Sequence, residues 1–191
     1  MNRLNFPIAL FIALGACNSI PPEFTKEQLS EYQNPSVQTR VKIDAQFPAA
    51  LQFFEKTQEA ALKLGRSLTQ AEITDAKAVG VTHPEKIRIY VTGNFPIFTD
   101  PVTGKKDNQS RAGAMAMGYG IFIKPKYSSA RWVKAHEFVH VRQFETLGPK
   151  DMIRQVLLEK QVFSNNLIPT EREAIEVSEA YIGKSAPKYA Y

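Results

Sequence analysis

The segment SARWVKAHEFVHVRQFETL, residues 129–147, decides how this chain is read. Its apolar residues Val133, Phe138, Val139 and Val141 point to several sides of a helix, so the spacing predicts a buried helix. Gly148-Pro149 follows and stops it. His136 and His140, four apart, stack on one face, close enough to hold one ion between them. Glu137, one residue on from His136, is rotated by about 100° and can reach a water beside that ion. Two buried imidazoles and a buried carboxylate are costly unless paired or bound to metal. With three histidines in the chain, this pair with a glutamate between them is improbable by chance. The pattern predicts a zinc ion on His136 and His140, with Glu137 as the base that takes a proton from a water the zinc has acidified. Such a set hydrolyses an amide without a covalent enzyme intermediate.

A catalytic zinc needs a third protein ligand. The metzincin pattern would put Gly and His three and six residues beyond His140, where this chain has Gln143 and Thr146. Glu145, nine residues after His136, falls on the far side of the helix. His83 precedes Pro84 in an expected turn, where an exposed role is the simpler reading. That leaves the carboxylates beyond residue 150. In Pro169-Thr170-Glu171-Arg172-Glu173-Ala174, Thr170 and Glu173 have capping-box spacing, which gives Glu173 a structural task and leaves Glu171 without one.

HEFVH followed, after an intervening helix, by Glu171-Arg172-Glu173-Ala174 resembles the gluzincin zinc peptidases. The resemblance implies a zincin-like fold, a peptidase activity and Glu171 as the third zinc ligand, three residues before Ala174. Glu173 stays open as the alternative. Ile175 stands where an aspartate commonly supports a metal-bound histidine in that family, so another group must orient that histidine here. About residues 68 to 180 are also similar to a group of small bacterial zinc peptidases, which implies a fold and a metal more than a particular substrate.

Working outward, Leu51, Phe54, Gln58, Ala61 and Leu62 follow helical spacing up to Gly65. Thr69-Gln70-Ala71-Glu72 fits a capping box opening a helix that ends near Gly80. Ile87, Ile89 and Val91 alternate with polar neighbours as in a half-buried strand. Residues 93–111 predict a loop or hairpin, 114–124 (AMAMGYGIFIK) a second strand, 150–163 a helix, and 170–182 a last helix. The segment Gly118 to Ile123 is a candidate edge strand for pairing with substrate backbone, or equally an internal strand with a bulge. Tyr119 and Tyr181 could donate to an oxyanion, and Arg142 could pair near the site; ordinary surface roles explain each as well. Together these elements predict an α+β fold: one compact domain over 45–183, with a small sheet beside the histidine helix and further helices after it.

At the other end, Arg3, the apolar run Phe6 to Leu14, and the small residues Gly15 and Ala16 have the order of a secretory signal peptide, placed over 1–16. Leu14-Gly15-Ala16-Cys17 resembles the lipobox of bacterial lipoproteins. This implies that Cys17 becomes the lipidated first residue, anchoring the protein to a membrane of the cell envelope. Asn18, in place of an aspartate at that position, implies the outer membrane, facing the periplasm. Pro21, Pro22, Asn34 and Pro35 predict a flexible tether over 17–44, and residues 184–191 a frayed tail.

Composition narrows the partners. The 191 residues carry a net charge of +5, with 43% hydrophobic and 23% charged residues, as in an ordinary globular domain. No basic stripe interleaved with aromatics suggests nucleic acid, so a peptide or protein substrate is the expected partner. A lone cysteine excludes an internal disulfide and a cysteine zinc site. The competing reading is a non-catalytic zinc-binding envelope lipoprotein, structural or partner-binding, which would need a closed four-ligand site. The sequence leaves oligomeric state open.

Overall fold

Side-chain caps open the first three α-helices in the computed structural model, which describes residues 24–107, 112–163 and 168–183. Thr25 and Gln28 form a reciprocal capping box that opens α1, Lys26–Gln33. Ser36 accepts from the Thr39 amide and opens α2, Val37–Leu64. The expected Thr69–Glu72 box opens α3, Gln70–Ala78. The strands are β1 (Arg66–Ser67), β2 (Arg88–Val91), β3 (Ala114–Met117) and β4 (Gly120–Ile123). Two long helical elements follow, α4 (Arg131–Val162) and α5 (Pro169–Ile182).

The strands form one mixed sheet in the order β1-β2-β4-β3, in an α+β fold. β2 runs parallel to β4, pairing Ile89 with Ile121, while β3 and β4 are an antiparallel hairpin. One face carries Ile89, Ile121 and Ile123 against Val133, Phe138, Val139 and Val141 of α4. The other packs Met115 and Phe122 against Ala61 of α2. Gly120 permits that second contact, since a Cβ there would lie 2.6 Å from the Ala61 Cβ. The helix carrying the histidines is therefore a core helix.

Several expectations need correction. Residues 24–44 are not a tether: α1 and the start of α2 occupy them, and Asn34-Pro35 only separates the two. Phe24 stacks on Phe163 at 4.3 Å between ring centroids, Tyr32 lies 5.3 Å from the same ring, and the Arg172 guanidinium sits 4.1 Å above Phe24. These contacts give polar, proline-marked sequence a place on the fold. Residues 114–124 form a hairpin turning at Gly118, not a single strand. β4 is internal, so the open edge near α4 belongs to β3. Val91, expected inside, is exposed, and Tyr90 packs on Phe122 instead. The leader 1–16, Cys17 and the tail 184–191 lie outside the described residues.

At Gly148 the backbone takes φ 74°, ψ 168°, which breaks α4 into two segments. The first carries His136 to Gln143. The second turns back so that Ile153 and Leu157 pack on Ile43, Ala50 and Phe54 of α2.

Candidate metal centre

The site is built where the first half of α4 meets the first turn of α5. His136 is 1% exposed and Glu137 5%, held there by the sheet contacts of Phe138, Val139 and Val141 on the same turns. α5 begins at Pro169, a favoured first helical residue, with no side-chain cap from Ile168. Glu171 falls in that first turn, where the amide dipoles favour an anion.

His136 Nε2 and His140 Nε2 are 3.0 Å apart, and Glu171 Oε2 lies 3.2 Å and 3.5 Å from them. Tetrahedral ligands on zinc, with bonds of roughly 2.0–2.1 Å, stand about 3.3 Å from one another. The three atoms thus already have the spacing of a ligand set, and the group His136, His140 and Glu171 could hold a metal ion. Among the described residues no fourth histidine, cysteine, aspartate or glutamate joins them.

Gln143 fixes which nitrogen of His140 faces the group. Its Nε2 donates to the Thr170 carbonyl at 3.0 Å and to Glu173 Oε2 at 2.8 Å, which an oxygen in that place could not do. Its Oε1 therefore accepts from His140 Nδ1, at 2.8 Å, leaving Nε2 as the atom that faces His136 and Glu171. This supplies the orienting group that Ile175 cannot.

Charge is arranged around the same atoms. Burial pushes the His136 imidazole down to about 4. Burial also opposes charge on His140, but the Glu171 carboxylate overrides it and raises the imidazole, so an ion binding at Nε2 would displace a proton. Burial alone would raise Glu171; the charge on His140 and hydrogen bonds from both histidines hold it well below the usual carboxylate range. Glu137 goes the other way. Burial, reinforced by Glu171, raises it to about 7, against smaller opposing effects of His140 and the Ala116 N–H of β3. Its Oε2 is buried and has no hydrogen-bond partner among the described residues.

The other sequence candidates lie elsewhere. Glu173 pairs with Arg142, whose guanidinium also donates to the Val79 carbonyl, so neither is free to face the metal group. The expected Thr170–Glu173 capping box does not form, because the Thr170 hydroxyl and amide both donate to Glu159. Tyr181 bonds Asp75 and Arg131, and Tyr119 packs edge-on against Phe144. His83 pairs with Glu85 at 3.3 Å, and Glu145 accepts the amides of Thr82 and His83. Gln143 is the residue that sequence reasoning passes over. Its signal is a polar side chain one turn beyond His140 on a buried helix.

Comparison of the chain with protein-family models, curated proteins and solved structures gives no match.

Proposed function

We propose that this chain is a zinc-dependent hydrolase of peptide or related amide bonds, of gluzincin type, held at a cell-envelope membrane through a lipid on Cys17. The observation that carries the reading is the triangle of His136, His140 and Glu171 donor atoms beside a buried carboxylate, Glu137, with a spare oxygen. Two imidazoles and one carboxylate make a donor set suited to zinc, leaving room for a non-protein ligand. Zinc there would polarise a carbonyl oxygen and acidify a water.

The rest is work for the chain's own residues. Glu137, buried beside the three donor atoms with one oxygen unpartnered, is placed to accept a proton from water and return it to the leaving amine. Gln143 keeps His140 in the tautomer that presents Nε2. β3 offers the open edge of the sheet on the side packed against α4, where an extended peptide can add as a strand. The structural-zinc alternative calls for a fourth protein ligand, and among the described residues the cluster has three. No helix of the described residues is long and apolar enough to cross a membrane, so the anchoring proposal rests on Cys17 and its lipobox resemblance.

The test uses the full chain in detergent, with bound zinc measured by elemental analysis and cleavage of a broad peptide mixture read by mass spectrometry. Wild type should hold one zinc, Glu137→Gln should keep it and lose cleavage, and Glu171→Ala should lose the metal. Cys17→Ser should move the protein from the membrane fraction to the soluble one. Stoichiometric zinc with no cleavage by wild type would favour the structural alternative, and a wild type that takes up no zinc defeats both.

A further inference from the structure

Glu159 is a carboxylate with no exposed surface, on the second segment of α4 and outside the group of His136, His140 and Glu171. A charge buried to that degree is costly, and an apolar side chain of similar volume would fill the same space. Its surroundings are all donors. Oε1 accepts from the Tyr32 hydroxyl at 3.1 Å and Gln155 Nε2 at 3.0 Å. Oε2 accepts from the Thr170 amide at 3.2 Å and the Thr170 hydroxyl at 2.6 Å.

Thr170 is where this matters. α5 has no side-chain cap at Ile168, and Pro169 has no N–H, so Thr170 carries the first amide of the helix. Glu159 takes that amide and holds the side chain of the same residue. Thr170 in turn is bonded to Glu171 in sequence, and its carbonyl accepts from Gln143 Nε2 at 3.0 Å. Gln143 meets His140 Nδ1 at 2.8 Å. One buried carboxylate thus grips the residue from which both a ligand-bearing turn and a ligand-orienting amide are hung.

We propose that Glu159 is a positioning residue of the metal centre: it clamps the first turn of α5 so that Glu171 faces the two histidines and Gln143 stays on His140. This rests on the metal-site reading above. It explains why a carboxylate occupies a core position, and why α5 starts without a local cap. Tyr32 extends the same clamp to α1, the helix that follows the leader.

The test is cobalt(II) binding to the full chain in detergent, followed by the visible d–d absorption of the bound ion, which reports ligand number and geometry. Glu159→Met, of similar length but with no oxygen to accept from Thr170, should weaken cobalt binding about tenfold or more and alter that spectrum. Thr170→Val removes the hydroxyl contact alone, and should weaken binding about threefold or more; it keeps the test decisive should Glu159→Met fail to fold. Leu157→Ala opens the core on the same segment without touching α5, and should lower thermal stability while leaving affinity and spectrum unchanged. The inference is overturned if Thr170→Val and a folded Glu159→Met both bind cobalt within twofold of wild type with an unaltered spectrum. It is also overturned if Leu157→Ala loses cobalt as they do. Glu171→Ala separates the two levels. If that variant keeps wild-type affinity, the proposed metal site itself fails and takes this inference with it. If it loses cobalt while the Glu159 and Thr170 variants do not, only the clamp is wrong.

Discussion

Replacing Gln143 by leucine should loosen the metal without unfolding the domain. The side chain is 6% exposed and makes three hydrogen bonds, to His140 Nδ1, the Thr170 carbonyl and Glu173 Oε2. Leucine has nearly the same volume, so no large cavity is left. What is left is a buried imidazole N–H without its acceptor, while the Thr170 carbonyl keeps only its place in α5 and Glu173 keeps Arg142 and solvent. At about 1 kcal/mol per net hydrogen bond, and more for a group left unsatisfied in the interior, the whole change should cost roughly 2–4 kcal/mol of stability. The share reaching the metal is the orientation and basicity of His140, which corresponds to about a 10–100-fold loss of affinity. Competition for zinc against a chromophoric chelator measures that loss, and urea unfolding monitored by circular dichroism measures stability. Gln143→Glu should not rescue. It offers an acceptor to His140 but no donor to Thr170, and it sets a second carboxylate beside Glu173. Zinc affinity within twofold of wild type in Gln143→Leu would refute the assignment of Gln143 as the group that orients His140.

Glu72 gives a prediction in pH. Burial opposes its charge, but Arg66, the Thr69 amide and Lys134 outweigh that and lower it to about 2. Since the folded value lies below the unfolded one, the stabilisation is complete above about pH 4.5 and is lost as pH falls through 2. Allowing for the exposure of Arg66, it should be worth about 2 kcal/mol. Urea midpoints of wild type and Glu72→Gln should therefore differ at pH 7 and converge in acid; a constant gap from pH 7 to pH 2 would contradict the pairing. Gly120→Val should destabilise by about 1–3 kcal/mol or more through overpacking against Ala61 and the Gln58 carbonyl, read as a lower melting temperature; an unchanged melting temperature would mean that α2 does not approach β4 as described.

Much of the histidine helix is legible in sequence because its signals are local. Apolar residues on several sides of residues 131–147 mark it as buried, and His136, Glu137 and His140 sit within one turn and a half. The approach of Glu171 is not local. It depends on how α5 docks on α4, and sequence reasoning reaches it through a family resemblance, leaving Glu173 open; the side-chain partners of Glu173 show where that residue is engaged. The apparent capping box of Thr170 and Glu173 misleads because an acceptor eleven residues back, Glu159, outcompetes it for the Thr170 amide. Tyr32, a further partner of Glu159, is 127 residues away in the chain, and no periodicity reports such a contact. The hairpin at Gly118 is hidden for another reason: both of its strands are apolar, so the turn is marked only by one glycine at φ 59°.

Were Cys17 to carry a lipid, the packing of Phe24 on Phe163 would set the length of its leash. A lipidated Cys17 would be joined to the folded body by 24 − 17 = 7 residue steps. Even fully extended, these reach about 25 Å, where a tether running to residue 45 could reach about 100 Å. A domain so moored sweeps only a thin layer of solvent over the bilayer. It would meet segments that emerge from, or are themselves tied to, the same membrane, and soluble chains only when they drift into that layer.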